Sequence, residues 1–114
     1  MSNASDYYAD SVLNSIEEMW TRYDEALGNH DYDMQSELDE YPLELIARRG
    51  SLFAVVITVG GPDARIVWDG RYGTDNAVLV VRWGTDVVER IHNKGVRRMA
   101  EYFGELMDSD EDMA

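Results

Sequence analysis

The chain contains no cysteine. A disulfide framework, a thiol nucleophile and a Cys-ligated zinc or iron–sulfur site are therefore excluded. Histidine is scarce as well: His30 lies in a polar segment and His92 stands just before a helical stretch. Neither is spaced with a nucleophile or a second ligand. No serine sits in a nucleophile-elbow context. Gly60-Gly61-Pro62 lacks the lysine and spacing of a phosphate-binding loop, and its proline removes an amide donor, so it reads as a hairpin turn. The longest apolar run, around residues 52–59, falls far short of the roughly 20 residues a membrane helix needs. The opening MSNASDYYAD has neither a basic nor an apolar signal region, so a cytosolic protein is expected.

Basic residues are also missing from a particular place. Residues 1–44 hold twelve Asp or Glu and a single basic residue, Arg22. Residues 45–107 are nearly balanced, and 108–114 add four acids with no base. The net charge of −13 is thus gathered at the two ends of the chain. Such an arrangement disfavours direct contact with nucleic acid or an anionic membrane, which require Lys and Arg. It favours a positively charged partner.

The hydrophobic pattern divides the 114 residues cleanly. Val12, Leu13, Ile16, Met19, Trp20, Tyr23 and Leu27 recur at steps of three and four, which predicts a helix over 5–27 capped by Ser5–Asp6. Gly28–Asn29 stops it. Residues 29–40 are polar and read as a loop or a short helix around 34–39, ended by Pro42. Strands are expected at 43–49, 52–59, 64–68, 77–83 and, more briefly, 87–91. Val96, Met99, Ala100, Phe103, Leu106 and Met107 predict a second helix over 93–107. Tight turns between strands imply an antiparallel sheet, and helices at both ends imply an α+β fold. The expected organisation is one domain over 1–107 and a disordered acidic tail over 108–114. Two strands, LFAVVITV and AVLVV, are apolar on both faces. Either helices cover both faces of the sheet or a second copy of the chain covers one, forming a homodimer.

The candidate functional residues are acidic. Asp10, Glu17 and Asp24 repeat every seven residues along one ridge of the first helix, roughly 10 Å apart, with Glu18 and Glu25 beside them. Asp31, Asp33, Glu37, Asp39 and Glu40 continue the acidic surface through the polar segment. A calcium loop there would want glycine at its sixth position and glutamate at its twelfth, which are Ser36 and Pro42. A partner-binding or merely solvated surface is the better reading, with no catalytic residue, metal or cofactor expected. The arginines are expected to be solvated and partly matched by these acids. Arg65 and Arg82 share one sheet face if their strands pair. Tyr7, Tyr8, Tyr23, Tyr32, Tyr41 and Tyr72 suit either an interface or a half-buried role, and Trp68 and Trp83 are expected at an edge or rim.

Residues 41–83 carry Tyr41-Pro42-Leu43, Thr58-Val59-Gly60-Gly61-Pro62, Ala64-Arg65-Ile66-Val67 and Trp83-Gly84-Thr85. In these features the chain resembles small acidic proteins encoded by phages, prophages and plasmids. The resemblance covers about forty residues and transfers no functional residue. It implies a mobile-element gene acting in a bacterial host, where such proteins often inhibit nucleic-acid machinery, as anti-CRISPR and anti-restriction proteins do. Two functions follow as expectations. One is a non-enzymatic inhibitor whose acidic surface occupies the basic groove of a host nucleic-acid-binding protein. The other is a structural or regulatory homodimeric module that binds through the sheet face. An enzyme or metal-dependent protein built on the clustered carboxylates is the third and weakest.

Overall fold

A computed structural model describes residues 4–28, 38–48, 52–58, 62–91 and 93–113. Helix α1 spans Ala4–Gly28. Strands β1 (Glu44–Arg48), β2 (Leu52–Thr58), β3 (Asp63–Asp69), β4 (Val78–Trp83) and β5 (Asp86–Arg90) follow, and helix α2 (Lys94–Met113) closes the chain. The sheet order is β1-β2-β3-β4-β5, and every neighbouring pair is antiparallel. The expected α+β meander is the observed fold.

Each helix buries the stripe its spacing predicts. On α1, Ala9, Val12, Ile16 and Trp20 face the core, while Leu27 at the last turn is largely exposed. On α2 the buried stripe is Val96, Met99, Ala100, Phe103 and Met107. The Asn93 side chain accepts a hydrogen bond from the Val96 amide (3.0 Å), so Asn93 caps α2 rather than beginning it. The far end differs from expectation. The helix continues past the predicted residue 107 to Met113. No glycine or proline follows Gly104 to stop the helix.

The register assigns every strand residue to a face. Val55, Ile66 and Leu79 are mutually paired and fully buried, and Ala64 and Val81 extend the same layer. A bulge between Val56 and Thr58 brings Thr58 opposite Ala64. There its hydroxyl accepts from Tyr8 Oη (3.2 Å). The β4–β5 turn is Gly84–Thr85, with Gly84 at φ 66°, a conformation other residues adopt only with strain. Trp68 is not at a rim: it is 5% exposed and stacked on Phe53 with ring centroids 5.4 Å apart. Its place on β3, the central strand, puts it beneath α2, against Gly104. Trp83 is partly exposed and meets Tyr8 edge-on.

Both helices lie on the same side of the sheet. α1 packs over β4 and β5, α2 over the middle strands, and the two helices touch each other. Among the described residues, no helix lies over the other face. The residues whose side chains point to the other face include Glu44 and Ile46, Leu52, Ala54 and Val56, Asp63, Arg65, Val67 and Asp69, Val78, Val80 and Arg82, and Val87 and Glu89. Arg65 and Arg82 do share that face.

One core residue is invisible to helical or strand periodicity. Leu38, in a helical turn over 38–40, is fully buried. The turn is closed by the Tyr41 amide donating to the Leu38 carbonyl (3.1 Å). Residues 31–37, which carry Asp31, Asp33 and Glu37 and most of the predicted short helix, lie outside the described residues, as do His30 and His92.

Candidate functional site

The fold joins what the sequence separates. The acidic N-terminal helix and the C-terminal helix lie side by side on one face of the sheet. Among the described side chains, α1 and residues 94–107 of α2 hold eight acids against four basic residues, six of the acids on α1. Residues 44–90, which form the strands and their connections, hold six of each. Charge is therefore segregated by layer: a negative helical layer over a balanced sheet.

Within that layer the candidate acids fall into two groups. Asp10, Asp24 and Asp39 are engaged within the fold. Arg90 of β5 reaches up to α1, its Nη2 lying 3.1 Å from Asp6 Oδ1 and 3.4 Å from Asp10 Oδ1. Arg98 of α2 forks onto the Asp24 carboxylate, with Nη1 2.8 Å from Oδ2 and Nη2 on Oδ1. These hydrogen bonds hold the Asp24 carboxyl below its ordinary pKa and raise that of Arg98. Asp39 accepts a 2.6 Å hydrogen bond from Tyr102 Oη, which ties the 38–40 turn to α2.

Glu17, Glu18, Glu25 and Glu40 form the second group. All four are exposed, and among the described residues none has an ion-pair partner. Along the 25 residues of α1 the free charge is sparser than the predicted ridge. At about 1.5 Å per residue the helix is roughly 37 Å long, against one charge per about 1.7 Å of duplex DNA. The helix can offer discrete carboxylates to discrete cations, but not a dense phosphate-like rail.

Sequence spacing alone could not pair Asp10 with Arg90 or Asp24 with Arg98, which are 80 and 74 residues apart. The expectation that arginines are partly matched by N-terminal acids does hold at both. The sequence also carries the two-faced apolarity of β2 and β4. On the open side lies a groove of ≈ 530 Å³ lined by Ile46, Leu52, Ala54, Val67 and Val78 together with the polar Arg65, Asp69 and Asn76. No group of three or more His, Cys, Asp or Glu able to hold a metal occurs among the described residues. No helix among them is long and apolar enough to cross a membrane. No protein-family model, curated protein or solved structure matches the chain.

Proposed function

We propose that this protein is a non-enzymatic binding protein that presents its acidic helical layer to a basic, nucleic-acid-binding partner. In keeping with the mobile-element resemblance, the partner is a component of a bacterial host, and binding blocks its nucleic-acid groove. The observation that carries this reading is the packing of α1, with six acids against one base, onto one face of the sheet beside α2. A field gathered on one face steers a cationic partner towards that face, and the rate of encounter falls as salt rises.

The contact is carried by Glu17, Glu18, Glu25 and Glu40, because these carboxylates are free to meet a partner. Asp10, Asp24 and Asp39 contribute to the field while holding the fold together. Reversal of Asp24 or Asp39 would therefore confuse lost binding with lost structure. A clean test uses Glu17→Lys, Glu18→Lys and Glu25→Lys together. The tagged protein is offered nuclease-treated bacterial lysate at low and at high salt. A basic partner retained at low salt, displaced by added duplex DNA and lost in the triple variant is the expected result. Retention of the same partner by a folded triple variant refutes the reading.

A further inference from the structure

The strongest feature outside the acidic layer is the opposite face of the sheet. Its middle reads Glu44, Val56, Arg65, Val80 and Glu89 across the five strands, with Ile46, Ala54, Val67 and Val78 in the next row. Val56 is buried, but Leu52 and Val87 are 53% and 52% exposed, and no helix among the described elements lies over them. A half-solvated antiparallel sheet normally turns polar residues to the water side. Here valine, isoleucine, leucine and alanine occupy eight of the fourteen described positions.

We propose that this face is the interface of a homodimer, in which a second copy of the chain packs its own open face against it. Three observations favour a second copy over another occupant. First, two of the acids at the face, Asp63 and Asp69, are satisfied at home. Arg65 forks onto Asp63 two residues away (3.1 and 2.8 Å), and Arg71 does the same to Asp69 (2.7 Å at its shortest). A pre-paired guanidinium enters an interface without stranding a charge, while Glu44, Arg82 and Glu89, which have no ion pair among the described residues, remain for polar contact across it. Second, the electrostatics of the molecule leave this side for self-association. Two chains of net charge −13 repel through their helical layers, and the sheet layer, with six acids and six arginines, is the side where they can approach. Third, the size allows it. Five strands at about 4.8 Å and up to seven residues at about 3.3 Å give a face of roughly 24 by 23 Å. That is at most about 550 Å² in projection, smaller than the roughly 800 Å² per partner of a standard interface, so the dimer is a small one. The two faces would stack as a sandwich at the usual sheet separation of about 10 Å. Both acidic layers would then point outward, so each dimer would display two copies of the surface assigned above to a partner.

Sedimentation equilibrium on the full chain tests this. The expected mass is twice 13.0 kDa across the micromolar range, holding or tightening as salt screens the repulsion between copies. Val80→Lys and Val67→Lys, each on the open face and only partly buried, are expected to return the mass to that of one chain. Glu17→Lys, on the helical layer, leaves the dimer intact. Because the chain has no cysteine, a spin label on Val80→Cys provides a second measurement on the dimer without a charge in its interface. Two labels close together at Val80, and far apart at Glu17→Cys, support the stacked faces. A wild-type chain that stays monomeric at the highest concentration overturns the proposal. So does a dimer that survives both lysine substitutions in folded protein, or one in which the Val80 labels lie far apart. Either result leaves the acidic-layer reading untouched, since that reading is judged by partner capture.

Discussion

The guanidinium carbon of Arg98 lies 4.2 Å from the centre of the Trp20 ring. Trp20 itself is 5% exposed, and its indole N–H donates to the Gly95 carbonyl (3.1 Å), so the ring is fixed between the two helices. Tyr23 and Tyr102 meet it edge-on at 5.5 and 6.0 Å. The cation therefore rests on an aromatic wall while its fork holds Asp24, and α1 is joined to α2 by packing and charge at one point.

That junction predicts a pH dependence. Arg98 lowers the Asp24 pKa from its ordinary 3.8, so the charged carboxylate is favoured in the folded state. A group whose folded pKa is depressed stabilises the protein above its unfolded pKa and loses that contribution as pH falls through the folded value. Asp24→Asn should melt below the wild type at pH 7. The gap should close as the pH drops below the ordinary carboxylate range. A gap that persists when Asp24 is protonated would show that the asparagine acts through packing instead.

The neighbouring glycine is under a steric constraint. A Cβ placed on Gly95 would lie 3.1 Å from Ile16 Cγ2 and 3.2 Å from Asn93 Oδ1. Ile16 is fully buried and Asn93 caps α2, so neither can yield cheaply. Ordinary helix propensity favours alanine over glycine by about 1 kcal/mol. Here Gly95→Ala is expected to destabilise in spite of that, by forcing α1 away from α2. Urea melts of the two proteins decide the sign.

Leu38 supplies a test of the core at the turn over 38–40. It is fully buried, so Leu38→Ala should cost about 2–5 kcal/mol, as cavity-forming leucine substitutions do. A loss under about 1 kcal/mol would mean the turn is not part of the cooperative core. Tyr102→Phe, which removes the hydrogen bond to exposed Asp39, should cost about 1 kcal/mol or less.

The residues that were legible from sequence are those with a period. Val12, Ile16 and Trp20 on α1 and Val96, Met99 and Phe103 on α2 announce buried helix stripes, and the Gly84–Thr85 break marks a hairpin. Leu38 has no such neighbours: it is a lone apolar residue in a polar run, and only tertiary packing explains its burial. Trp68 was misjudged because a tryptophan at a strand end looks peripheral, whereas its strand is central and α2 passes over its end. The candidate site was legible as a set of acids but not as a division of labour. Whether an aspartate meets an arginine 74 or 80 residues away depends on how helices lie across the sheet, and local spacing holds no record of that.

The same division predicts opposite responses to neutralisation. Glu17, Glu18 and Glu25 repel one another and the rest of a −13 chain, and no ion pair among the described residues compensates them. Replacing all three by glutamine should raise the melting temperature at low salt, and the gain should fade as ionic strength shortens the reach of the repulsion. Asp6 and Asp10 share Arg90, which is 28% exposed and joins β5 to α1. Arg90→Gln should lower the melting temperature, at a cost of roughly 0.5–1 kcal/mol for a partly exposed pair. Stability that rises in the glutamate variant and falls in the arginine variant separates acids kept for the surface from acids kept for the fold. A fall in both would mean that the α1 glutamates are structural too, and of the four carboxylates assigned to the contact only Glu40 would remain free for a partner.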